Sequence, residues 1–359
     1  MPDDFDFTSY RRKRATENTP YITYTLIFAS IVLTAAYWLS MEKSTSTSLI
    51  NLLSVNNVDM AHLVWQGHLQ YFLINIFYHG GWAHLLFNLY WMYKLGSVAE
   101  LALPRYAYLG FIAGSAIISN GMELAVFGET GIGISGVVYA LFGLLWAGRG
   151  KHQAWRLEVT GETYKYFVVW AVLCIVTTYM GVMNIANGAH FGGMLFGMAI
   201  GWLFISPRRK TEWAIPLVLM TLLTILSVTW LPWRTEWCIF KSEQAFRNQR
   251  YAQSVNWYER GLKSIGNKLF LYSTGYQAWA AIAEEAEKRN DAPGLARATE
   301  QLAEIDRRMA GAIEAFQRDT TRKNPVPDIE SLQDGAKGKG DSQKSEDGTQ
   351  KGDATNGDK

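Results

Sequence analysis

The chain has 359 residues, 49% of them apolar, and 34 basic against 32 acidic side chains leave a formal net charge of +2. That balance gives no electrostatic footprint for nucleic acid, and two cysteines, Cys174 and Cys238, are too few for a disulfide framework or a metal cluster. Because the same composition would also describe a large soluble domain, the distribution of charge along the chain has to decide the class.

The basic run Arg11-Arg12-Lys13-Arg14 precedes the first of six stretches that lack any Asp, Glu, Lys or Arg: roughly 21 to 41, 60 to 93, 106 to 122, 130 to 148, 166 to 207 and 213 to 233. The fifth is long enough for two spans joined around Asn184 to Asn187, which gives seven crossings. Buried helices of a soluble core would show a charged face, and these stretches have none. The first run is too long for the apolar segment of a signal peptide and has no small-x-small cleavage site before Met41-Glu42-Lys43, so it reads as a membrane helix.

Lys and Arg are retained on the cytoplasmic side of short loops. With the N-terminus inside, the inner segments carry Lys94, Arg105, Arg149, Lys151, Arg156, Lys165, Arg208, Arg209 and Lys210 besides the N-terminal run, and the short outer loops carry only Lys43. Seven crossings then place everything after about Trp233 outside. Ser135 in the fourth span and His190 in the sixth both lie a few residues in from the outer end, at similar depth. The second span brings His79, His84 and Asn88 to the same end, and His84 and Asn88, four residues apart, share one helix face.

Each of these polar residues alone would serve equally as interhelical hydrogen-bond glue. Together with a glycine-flanked serine they read as a site. A serine hydroxyl needs a base within hydrogen-bond reach, and neutral imidazole suits that task near pH 7. Gly133 and Gly136 allow a tight turn and close approach of a substrate backbone, and the free amide of Ser135 at a helix start, with His84 and Asn88, can face a developing oxyanion. None of the seven spans contains Asp or Glu, so a Ser135-His190 dyad is expected rather than a triad. Gly193, Gly197 and Gly201 recur every four residues after His190, facing a strip of Gly136, Ala140 and Gly143, and such strips let helix axes approach closely. Tyr139, one turn below Ser135, is then placed to stack on the imidazole.

The stretches His79-Gly-Gly-Trp-Ala-His84-Leu-Leu-Phe-Asn88, Gly133-Ile-Ser135-Gly136-Val-Val-Tyr139-Ala140-Leu141 and Ala186-Asn187-Gly188-Ala189-His190, with Gly193 and Gly197, resemble the rhomboid family of intramembrane serine proteases over roughly residues 15 to 207. GxSG alone also marks soluble hydrolases, but the three stretches in order and in separate spans are specific. The resemblance implies Ser135 as nucleophile, His190 as general base, His84, Asn88 and the Ser135 amide as oxyanion hole, Tyr139 as stacking partner of the base, and His79 as a brace for the neighbouring loop. It also implies substrates that are transmembrane proteins, cut near the outer face where the helix unwinds, with no cofactor. The Trp-Arg pair that many relatives carry in the first outer loop is not evident here, and the nearest residues are Gln70-Tyr71. A catalytically silent relative that binds membrane proteins is the alternative, against which both Ser135 and His190 are retained; a proton-relaying transporter would want intramembrane carboxylates.

The expected architecture is thus all-α: a cytoplasmic segment 1–19, a six-helix membrane core 20–207, a seventh transmembrane helix 212–233, a soluble helical domain 235–320 and a disordered tail 321–359, in a multi-pass protein of a bacterial plasma membrane. In the soluble part, Tyr251, Ser254, Tyr258 and Gly261 fall at the offsets of the second helix of a tetratricopeptide unit, and a further helical pair is expected from Leu269 to Ala312, turning at Asn290-Asp291-Ala-Pro293-Gly294. One and a half repeats is short for a free-standing solenoid, so the domain either leans on the membrane part or self-associates. Its readings as a groove for an extended peptide and as a helical hairpin without a ligand both stand. With Cys174 in the fifth span and Cys238 outside, no bridge between them is expected.

Overall fold

A computed structural model describes residues 19–42, 57–205 and 210–323. Helices dominate: α1 Tyr21–Glu42, α2 Asn57–Trp65, α3 Trp82–Trp91, α4 Ser97–Ala102, α5 Arg105–Phe127, α6 Ser135–Gly148, α7 Gln153–Glu158, α8 Gly161–Tyr179, α9 Asn187–Ile205, α10 Lys210–Thr229, α11 Thr235–Arg247, α12 Tyr251–Leu262, α13 Leu269–Lys288 and α14 Ala292–Lys323. A π-helical turn at Met92–Gly96 fuses α3 and α4 into one rod. Among the described residues strand pairing is limited to a single parallel bridge, Arg234 to Ile265. The segment 1–18 and the tail from 324 lie outside the described residues, while 321–323 complete α14.

Charge depletion marks helices because, in hydrocarbon, the backbone must satisfy its own hydrogen bonds. Tyr21–Leu39, Arg105–Phe127 and Lys210–Thr229 are long and apolar enough to cross a bilayer, and α6 is apolar but only 14 residues long. Large apolar side chains such as Phe28, Val169, Val172, Leu219 and Leu222 stand exposed on the outer helices, as they would facing lipid. The molecule is a polytopic helical membrane bundle carrying a helical module at its C-terminal end.

α6 is the central helix. Twelve of its residues are buried, and Val137, Leu141, Leu144 and Leu145 pack with Met92, Leu95, Tyr108, Ile112 and Trp155 in the main core. At about 1.5 Å per residue it rises roughly 21 Å, less than the ~30 Å of hydrocarbon, and the connection that leads into it packs against Asn75, His84 and Asn120. The 128–134 connection therefore descends among the helices, which is tolerated only because protein surrounds it.

Two expectations need correction. The uncharged run 60 to 93 is not one span: α2 and the short turns Tyr71–Ile74 and Asn75–Phe77 pack into a second core with Tyr78, Leu124, Leu231, Trp237 and Phe240, and the long helix starts only at Trp82, so His79 precedes it. Burial in protein accounts for apolar residues ahead of Trp82 such as Met60, Val64, Tyr71 and Phe72, whereas Trp82, Leu86 and Tyr90 on α3 are exposed. Nor are the helices free of carboxylates, because α4 holds Glu100 and α5 holds Glu123, both buried. Each accepts backbone amides at the start of another helix: Glu100 those of Ile22 (2.9 Å) and Thr23 (2.7 Å), Glu123 that of Ala189 (2.9 Å).

The C-terminal module consists of two helical hairpins, α11–α12 and α13–α14, rather than one and a half units. Ser254, Tyr258 and Gly261 are buried on α12, and Gly261 sits against Leu271 and Cys238. The module leans on the bundle: Trp237 meets Trp65 edge-on with ring centroids 5.3 Å apart. Cys174 and Cys238 are both free and buried.

Candidate active site

Gly133 has φ +101, a left-handed conformation that side chains rarely adopt, and it turns the chain into α6 so that Ser135 is the first helical residue. Its amide donates to Asn75 O at 3.0 Å, tying the turn to the segment before α3. One residue on, the Ile134 amide donates to His79 Nε2 at 3.4 Å. With Nε2 accepting, Nδ1 of His79 carries the proton, and it lies 3.2 Å from both Phe77 O and Thr34 Oγ1. His79 thus links α1 and the loop before α3 to the residue preceding Ser135.

His190 sits in the first turn of α9, buried, with Nε2 2.9 Å from Ser135 Oγ. Close packing of α6 and α9 makes that distance possible. A Cβ at Gly193 would strike the carbonyl oxygen of Gly136, one at Gly197 the carbonyl oxygen of Ala140, and one at Gly136 would lie 2.6 Å from Ser119 Oγ. The imidazole lies on Tyr139, with centroids 4.5 Å apart and planes 17° from parallel. Its other nitrogen, Nδ1, has no hydrogen-bond partner among the described residues, so stacking rather than a carboxylate orients the ring.

His84 and Asn88 reach the same turn from α3. A Cβ on Gly133 would be 2.9 Å from His84 Nε2 and 3.4 Å from Asn88 Nδ2, so the glycine leaves open a small space that both side chains border. Asn88 Nδ2 is buried and has no partner among the described residues. An unpartnered buried donor is costly, and a place where charge develops during a reaction is one reason for keeping one.

The structure therefore gathers Gly133, Ser135, Gly136 and Tyr139 on the α6 turn, His190, Gly193 and Gly197 on α9, and His84 and Asn88 on α3, with His79 beneath the turn. Glu123 is the neighbour that sequence reasoning missed. Its hydrogen bond to the amide next to His190 joins residues 66 positions apart, and only the glutamate closing the third uncharged run hinted at it.

The Rhomboid domain model matches residues 64–207. Proteins named Rhomboid protease GlpG from Salmonella paratyphi A (strain ATCC 9150 / SARB42), Salmonella choleraesuis (strain SC-B67) and Salmonella newport (strain SL254) are each 31% identical over 143 residues, which cover 39% of this chain and 50% of theirs. The chain thus spans about half the length of the curated relatives it matches. The stretch from residue 64 to residue 207, which holds the α6 turn and the start of α9, is thus similar to the rhomboid family.

Proposed function

We propose that the chain is an intramembrane serine endopeptidase that cuts transmembrane segments of other membrane proteins near their outer face, with Ser135 as nucleophile and His190 as general base. The observation that carries this reading is the 2.9 Å contact between Ser135 Oγ and His190 Nε2 beside an unpartnered Asn88 Nδ2. In the reaction, Nε2 takes the hydroxyl proton as Oγ bonds to the substrate carbonyl carbon. The carbonyl oxygen becomes an oxyanion facing Asn88 Nδ2, the His84 ring and the Ser135 amide. The imidazolium gives its proton to the leaving amine as the peptide C–N bond breaks. Water, deprotonated by the same nitrogen, then hydrolyses the acyl-enzyme. Without a carboxylate partner, the transient imidazolium is steadied by the face of Tyr139.

Substrate chemistry follows from depth. A helical peptide bond is internally hydrogen-bonded, so cleavage demands segments that unwind, where Gly, Pro or small polar residues weaken the helix. In the proposed topology the N-terminus is cytoplasmic and α10 delivers the C-terminal module to the outside. The contacts of α11 with α2, and of Arg234 with the end of α5, which leads into the Ser135 turn, support this topology. The Salmonella relatives favour a bacterial membrane.

The test is reconstitution of the full chain in vesicles with a model transmembrane substrate. Product should form with wild type and vanish with Ser135→Ala and with His190→Ala. Equal product from wild type and Ser135→Ala would eliminate the protease reading.

A further inference from the structure

Helix starts leave amides without partners, and a Ser, Thr, Asp or Asn just before the first turn usually satisfies one of them. Before α9 stands Ala186, which has no side-chain oxygen. Glu123 supplies the acceptor from another helix, its Oε2 lying 2.9 Å from the Ala189 amide nitrogen. Both residues are buried, with Glu123 only 5% exposed. Neighbouring contacts leave little play: a Cβ on Gly188 would lie 2.7 Å from the same Oε2, one on Gly192 2.7 Å from Met122 Cβ, and one on Gly136 3.4 Å from Ala189 O. The Glu123–Ala189 bond thus stands where α5, α6 and α9 converge, one residue before His190.

Resting on the protease reading above, we infer that Glu123 is a positioning residue for the base: it fixes the first turn of α9 so that His190 Nε2 stays within reach of Ser135 Oγ. Were the first turn of α9 to slide or rotate, a buried carboxylate would lose its partner, an expensive outcome that penalises misplacement of the imidazole. Glu100 caps α1 in the same manner through the amides of Ile22 and Thr23, so what distinguishes Glu123 is its place one residue from His190. Glu123 touches neither substrate nor imidazole in this role. It acts through the backbone of Ala189.

The test uses the full chain in vesicles with a model transmembrane substrate, measuring kcat and KM separately for wild type, Glu123→Gln and Glu123→Asp. Glutamine has the same reach and an amide oxygen to accept the Ala189 amide, so kcat should stay within about twofold of wild type. Aspartate keeps the charge but is one methylene short, so kcat should fall roughly tenfold or more at unchanged KM, as expected when a reacting group is misplaced by about an ångström. Wild-type kcat in Glu123→Asp, a fall in Glu123→Gln as deep as in Glu123→Asp, or a change confined to KM would each overturn the inference. A wild type that cuts nothing would sink the protease reading and this one with it, whereas an active wild type with unmoved variants would sink this one alone.

Discussion

Tyr139 lies flat against His190, its ring centroid 4.5 Å from that of the imidazole and the two planes 17° apart. The tyrosine hydroxyl is buried without a hydrogen-bond partner among the described residues, so the ring face, rather than the oxygen, meets the histidine. Tyr139→Phe should therefore keep kcat within about twofold and leave stability unchanged or slightly raised, because a buried unsatisfied hydroxyl costs about 1–3 kcal/mol. Tyr139→Ala removes the surface that orients the base, and kcat should drop roughly a hundredfold. Steady-state cleavage with both variants separates the two roles, and a phenylalanine variant as weak as the alanine one would assign the function to the hydroxyl.

His84 and Asn88 border the space left open by Gly133. Interactions made only when the oxyanion forms affect kcat and leave KM alone. Asn88→Ala should therefore lower kcat by about 10²–10³-fold, the loss typical of a missing oxyanion donor, with KM near the wild-type value. Gly133→Ala should be as damaging for two reasons: the added Cβ falls 2.8 Å from His84 Cε1, and φ +101 strains any side chain. A KM effect without a kcat effect in Asn88→Ala would assign that side chain to substrate binding.

Much of this arrangement could be read in the chain. Uncharged runs found the long helices to within a turn or two, since lipid and protein both exclude unpaired charge, and the glycine spacing after His190 anticipated a close helix pair. What escaped reading was non-local. Glu123 looked like the end of an uncharged run and Glu100 fell between two runs, yet both lie buried inside helices and accept hydrogen bonds from amides of α1 and α9 that no spacing rule connects to them. The run 60 to 93 looked like one span because burial under Trp237 and Phe240 makes the same composition as burial in lipid.

Two glycine substitutions, one in the seam between α6 and α9 and one on α14, should have opposite outcomes. At Gly197 a methyl group would meet the Ala140 backbone, which cannot swing aside, so Gly197→Ala should destabilise by about 1–3 kcal/mol or more and separate Ser135 from His190. At Gly311, on α14, nothing lies within 4 Å of a built Cβ. Gly311→Ala should stabilise the module by about 0.5–1 kcal/mol through helix propensity alone. Thermal unfolding of the purified full chain reads both changes, and activity should be lost only with Gly197→Ala.

Arg234 connects the C-terminal module to the site. Its guanidinium donates to Phe127 O, the last carbonyl of α5, and through Nε to Glu236 Oε2 at 3.1 Å, with side-chain exposures of 10% and 18% for the two residues. Phe127 begins the connection that descends to Gly133 and Ser135, so this clamp holds one end of the loop that presents the proposed nucleophile. Removing one partner of a buried ion pair leaves the other uncompensated, and Arg234→Met should destabilise the chain by about 3–5 kcal/mol. In Arg234→Met/Glu236→Gln no buried charge is left alone, and most of that stability should return. Activity should not return with it, because Phe127 O still lacks its donor. Unfolding temperature and cleavage rate, measured on both variants, then part company; if the two recover together, the ion pair matters to the fold and the Phe127 clamp does not reach the site.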